Sequence, residues 1–198
     1  MAFGTRLSEL RACFIVELEP PTGWTQNHHR QALAYRLLAS SELEHYVESR
    51  CISICRGAID RAKKQLSSSS GFALLVWFAT QNSKGAIPIS RLHLAAWLQE
   101  ADKVVIAYEK LVKRSHGISG DDLRRLLWPL GVQEGDIDSQ LSDRLDELAN
   151  LRNPAAHTHV NRARSMTEPK TEAERLESIR ALLAPLDARL DHYLANDP

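Results

Sequence analysis

This sequence predicts an all-α fold, an antiparallel helical bundle, on three observations. Apolar residues recur at steps of three and four along most of its 198 residues. No segment alternates as a half-buried strand would, and helix caps, prolines and glycines supply the punctuation. With 43% hydrophobic and 25% charged residues the chain lies in the globular range, which excludes disordered and collagen-like classes. The length suits a single domain of four or more helices, read as an N-terminal helical arm over 1–23 and a bundle over 25–195.

Thr5 can cap a first helix running to about Leu18, where Glu19-Pro20-Pro21 ends it. A long amphipathic stretch follows from about Thr25 to Leu66, with Leu33, Leu37, Val47, Cys51, Ile54 and Ile59 at mostly helical spacings. Ser41 with Glu44 forms a capping-box pattern inside it, so the stretch is two helices or one bent helix. Ser67 to Gly71 reads as a loop. Phe72 to Thr80 is a short apolar run for which buried helix is favoured by its helical surroundings.

After a loop over Asn82 to Pro88, Ser90 caps a helix to about His116, before Gly117. Ser119 with Asp122 opens a short helix that Pro129 and Gly131 stop. A further helix starts near Asp138 or Ser139 and carries Leu141, Leu145 and Leu148 on one face. Thr171 and Glu174 form the capping box of the last helix, which Pro185 should kink. Its seam Leu176, Ile179, Leu183, Leu186, Leu190, Tyr193 buries a stripe against a helix of the same chain or of a second one.

Lysine and arginine number 25, aspartate and glutamate also 25, so the formal net charge is zero. That argues against coating nucleic acid by bulk attraction but leaves room for a local basic site. Cys13, Cys51 and Cys55, an odd and sparse set without a C-x-x-C pair, fit a reducing cytoplasm; Cys51 and Cys55 read as small core thiols one turn apart. The longest apolar run, Phe72 to Ala79, falls far short of the roughly 18 residues that span a bilayer, so no membrane partner is expected. Trp24, Trp77, Trp97 and Trp128 are scattered rather than interleaved with the basic residues and read as core or interface anchors.

Most catalytic templates are missing: there is no G-x-S-x-G, phosphate-cradling glycine loop, dinucleotide fingerprint or H-E-x-x-H. Glu134 to Asp138 is acidic but lacks the ligand ladder of a calcium loop, and His157 with His159 has no third zinc ligand nearby. Neither a metal nor a cofactor is therefore expected.

One segment carries chemistry: Leu148-Ala149-Asn150-Leu151-Arg152-Asn153-Pro154-Ala155-Ala156-His157-Thr158-His159. Arg152 continues the apolar stripe Leu141, Leu145, Leu148, where a guanidinium is costly unless it is paired or snorkels out to answer the helix dipole. Asn153 and His157 are four apart and share a helix face. Arg152 and His157, five apart, diverge by about 140° unless Pro154 bends the backbone. Arginine, amide and imidazole together suit phosphoryl transfer on RNA: imidazole moves the ribose proton, guanidinium grips the phosphorane, and the amide holds base or phosphate. Between Ala149 and Thr167 no acidic residue occurs, and His159, Arg162 and Arg164 add a basic stripe that either binds the flanking phosphates or is a solvated loop.

The pattern R-N-x-x-x-H after a leucine-rich helix, in DRLDELANLRNPAAH, resembles the R-x4-6-H motif of HEPN ribonucleases. The upstream GISGDDLRRLLWPLGV and the terminal amphipathic helix are similar to the RiboL-PSP-HEPN branch. The resemblance implies a homodimeric bundle with a composite site and metal-independent endoribonuclease activity that leaves a 2′,3′-cyclic phosphate. It also implies a toxin, phage-defence or RNA-processing role, with an antitoxin or regulatory protein as a possible partner. Arg152 and His157 would be catalytic, supported by Asn153. His159 stands where some toxin members carry a tyrosine modified by their antitoxins, and Pro154 is a less usual residue within the motif. A catalytically silent HEPN dimer that docks RNA or a partner, or a structural helical adaptor, is the alternative.

Overall fold

The computed structural model describes residues 2–15, 24–64, 69–82, 94–157 and 168–195. Among them lie seven α-helices, two single 3-10 turns and no strand: α1 (Ala2–Phe14), α2 (Gln26–Lys63), α3 (Ser69–Asn82), α4 (Leu94–Arg114), α5 (Gly120–Leu127), α6 (Ser139–His157) and α7 (Pro169–Ala195). The all-α helical bundle expected from the periodicity is the fold of the chain. It divides into two compact units, the first of residues 1–46, 117–120 and 138–184, the second of 47–116, 121–137 and 185–198.

Local chemistry explains where the helices start and stop. Thr25 caps α2, its N–H donating to His28 Nδ1 at 3.2 Å while its carbonyl accepts from the His28 N–H at 3.0 Å. Asp138 caps α6, with Oδ1 accepting from the Gln140 N–H at 2.7 Å. Gly131 ends the 3-10 turn after α5 at φ 84°, a left-handed conformation, and its N–H closes on the Trp128 carbonyl at 2.9 Å.

Three expected caps are corrected. Thr5 lies inside α1, which starts at Ala2 and ends at Phe14, and Glu19-Pro20-Pro21 lie outside the described residues. Ser41 lies inside a continuous α2, so Ser41 and Glu44 form no capping box; the Glu44 carboxylate is engaged elsewhere. Thr171 lies inside α7, which starts at Pro169, where a missing N–H costs nothing. Pro185 lies within α7, and the division between the two units falls immediately before it. Ser90 lies outside the described residues.

In the first unit α1 runs antiparallel to α2, with Phe3 stacked on Tyr46 at 5.9 Å and Arg6 paired with Glu42 at 3.3 Å. Phe3 and Leu7 of α1 are buried. Leu141, Leu145 and Leu148 of α6 are fully buried, each contributing about 1.5–3 kcal/mol. Leu176, Ile179 and Leu183 of α7 are buried within the chain, which makes that part of the seam bundle core. In the second unit α2 and α4 run antiparallel through Arg56–Glu109 and Lys63–Asp102, both 2.6 Å. There α2 and α7 run parallel: Arg50 pairs with Asp187, and Arg61 donates to the Tyr193 and Leu194 carbonyls.

The helical reading of Phe72 to Thr80 holds as α3, which buries Leu74, Leu75 and Ala79. Cys51 and Cys55 are core thiols, and burial pushes each up to about 12. Trp77 packs edge-on against Tyr108 at 5.9 Å as a core anchor, whereas Trp128 is 59% exposed. No described helix is long and apolar enough to cross a membrane.

Candidate functional site

The motif segment is carried by α6, which stays helical from Ser139 through Pro154 to His157. By register Asn153 and His157 share a face, while Arg152 lies about 140° around the axis from His157. His159, Arg162 and Arg164 lie outside the described residues.

Arg152 is the motif residue whose side-chain surroundings are defined. It extends the buried Leu141, Leu145, Leu148 stripe by one step, and the pairing that such a position demands is present. Arg152 Nη1 donates to Glu44 Oε2 on α2 at 2.8 Å, with the two side chains 30% and 15% exposed. The other Glu44 oxygen, Oε1, accepts from the Gly117 N–H at 2.7 Å. Gly117 sits at φ 122°, where a side chain would be strained. Three residues on, the Gly120 N–H donates to Asp146 Oδ1 on α6 at 2.8 Å. The 117–120 segment is thus bonded to α2 and α6 through two carboxylates.

A second group of charges sits one residue away. Arg36 of α2 donates through Nε to Glu172 Oε2 at 2.8 Å, through Nη2 to Glu172 Oε1, and through Nη1 to the Leu151 carbonyl at 3.2 Å. Arg175 continues the chain of bonds, reaching Glu172 at 2.7 Å and Glu147 at 3.1 Å, and Arg144 closes on Glu147 at 2.9 Å. Burial pushes the Glu172 carboxyl up, but bonds to Arg36 and Arg175 outweigh burial and hold it below the usual carboxylate range. Each buried charge is therefore met by an opposite one, the condition under which such a cluster is tolerable.

Arg36 and Glu172 belong to no motif in the sequence, and Glu44 stood out only as half of a local capping pattern with Ser41. A signal was nevertheless present: Arg36 interrupts the buried α2 positions Ala32, Ala39 and Leu43, and Glu172 lies four residues before Leu176 on the α7 seam. Opposite charges on two apolar stripes are candidates to meet.

A cleft of about 300 Å³ is lined by Leu7, Ser8, Arg11, Ala12, Ile15 and Glu177, but the Ser8 hydroxyl donates to the Gly4 carbonyl at 3.0 Å. The acidic stretch at Glu134 is a 3-10 turn whose carboxylates pair with Arg124 and Arg189. Among the described residues, no group of three or more His, Cys, Asp or Glu is arranged to hold a metal ion.

Compared with known protein families, with characterised proteins and with solved structures, the chain matches none.

Proposed function

We propose that the protein is a HEPN-type endoribonuclease that cuts RNA without a metal, as a homodimer in the cytoplasm, in a toxin or phage-defence role. One observation supports this most: Arg152 of the R-N-x-x-x-H motif is a partly exposed guanidinium held by a doubly anchored carboxylate, on a helix that continues to His157. Preorganised cations of this kind stabilise charge that develops on phosphorus.

In this reading His157 takes the proton of a ribose 2′-hydroxyl, whose oxygen attacks the adjacent phosphorus. The bond to the 5′-oxygen breaks, that oxygen receives a proton from the second copy's imidazole, and a 2′,3′-cyclic phosphate remains. Arg152 binds the non-bridging oxygens and Asn153 supports the pair. A composite site answers the 140° divergence, because the two copies present an arginine and a histidine from opposite sides. His159, Arg162 and Arg164 would hold flanking phosphates, and an antitoxin or regulatory protein would restrain activity.

The Arg152–Glu44 ion pair also favours a second reading, a catalytically silent HEPN dimer, since a phosphate has to share this arginine with a carboxylate. Incubation of total RNA in EDTA with the wild type, Arg152→Ala and His157→Ala separates the two. Cleavage by the wild type alone, with 2′,3′-cyclic phosphate ends, supports the nuclease. RNA bound equally and left intact by the wild type and His157→Ala supports the silent dimer.

A further inference from the structure

We propose that Glu44 is the positioning residue for Arg152, fixing its guanidinium in one orientation while moderating its attraction for phosphate; this rests on the ribonuclease reading above. A surface ion pair between two free side chains would do neither, because each would sample many rotamers. Glu44 is different on three counts. Its side chain is only 15% exposed. Both carboxylate oxygens are committed, Oε1 to the Gly117 N–H at 2.7 Å and Oε2 to Arg152 at 2.8 Å. The Gly117 donor in turn sits on a left-handed backbone, φ 122°, that favours glycine.

The backbone beside Arg152 is fixed from the same helix. Arg36, two turns before Glu44 on α2, donates to the carbonyl of Leu151 at 3.2 Å while holding Glu172. Thus α2 grips α6 at two adjacent residues, once through a carbonyl and once through a guanidinium. An arginine carries five N–H donors, and the bond to Glu44 uses one, so capacity remains for a phosphate beside the carboxylate. The carboxylate has two opposing effects on such a ligand: it orients the donor, which favours the reaction, and repels the anion, which weakens binding.

These opposed effects make the inference separable from a purely structural tie. Glu44→Gln keeps the shape and removes the charge. It is expected to lower kcat about tenfold through lost orientation and to tighten binding of a 2′-O-methyl RNA oligonucleotide about threefold, the scale of one partly exposed ion pair. In an Arg152→Ala background the same substitution should leave that affinity unchanged, because the effect passes through the arginine. Glu44→Asp, which retains the charge but shortens the reach, should lower kcat with affinity held within about twofold; it also serves if the glutamine variant fails to fold by circular dichroism.

Glu44 variants that move kcat and affinity in the same direction, or that shift affinity equally without Arg152, would overturn the inference and leave the nuclease standing. A wild type that leaves RNA intact overturns the nuclease, and the affinity comparisons then decide the Glu44 role alone. A wild type that neither binds nor cuts RNA overturns both.

Discussion

Arg36 and Glu172 form a two-point ion pair inside the first unit, with side chains 9% and 1% exposed, 136 residues apart in sequence. A charge so deeply placed is tolerable only while its partner remains. Arg36→Met is therefore expected to destabilise the protein by about 3–5 kcal/mol, leaving Glu172 with Arg175 as its remaining cation. Adding Glu172→Gln should recover part of that loss, because the uncompensated charge is then gone. Urea titrations of the wild type, both single variants and the double variant measure it; losses that simply add would refute the coupling.

The same pair predicts acid sensitivity. The Glu172 carboxyl lies below its ordinary value when folded, since the bonds to Arg36 and Arg175 outweigh burial. A depressed folded value means that the ionised form contributes stability above the unfolded value of about 4.3, and that this contribution is lost as pH falls toward the folded value. The melting temperature should thus drop below about pH 4.5. Glu172→Gln should start lower at pH 7 and fall less on acidification; parallel curves would remove Glu172 as the cause.

What the sequence disclosed, and what it withheld, follows the range of the interactions. The α6 stripe, the Asp138 cap and the Gly131 stop depend on neighbours within a few residues, and all were legible. Ser41 and Glu44 have the spacing of a local cap, yet Glu44 reaches Arg152, 108 residues away, and a local pattern cannot register such competition. Thr171 and Glu174 fail as a cap because Pro169 already starts the helix. Arg152 was legible as a cation needing a partner, while the identity of that partner depended on how α2 packs.

Thiol chemistry tests the core assignment directly. Cys13 is exposed, whereas Cys51 and Cys55 are buried with their thiols pushed up to about 12, so little thiolate forms near neutrality. Ellman's reagent at pH 8 should titrate one thiol quickly in the native protein and three in guanidinium chloride. Three fast native thiols would mean that the α2 core is open.

Gly131 offers a control on packing. Its φ of 84° is left-handed, and an added Cβ would lie 3.2 Å from the Ala73 Cβ on α3. Gly131→Ala should cost about 1–2 kcal/mol from backbone conformation, plus whatever α3 yields. At Gly135 an added Cβ meets nothing within 4 Å, so Gly135→Ala should stay within about 0.5 kcal/mol. Equal melting temperatures for the two variants would contradict the turn geometry.

Arg152→Lys separates charge from geometry at the candidate site. Lysine preserves the positive charge facing Glu44 but replaces a planar fork with a single ammonium, which cannot hold a carboxylate and a phosphate in fixed relation. If the guanidinium stabilises the phosphorane, single-turnover cleavage in EDTA should slow by about 10–100-fold, with RNA affinity changed far less. His157→Ala should slow it by about 10²–10⁴-fold, the range of a lost general acid–base group. Should lysine support the full wild-type rate, Arg152 would contribute only charge, and the orientation imposed by Glu44 and Gly117 would have no catalytic consequence.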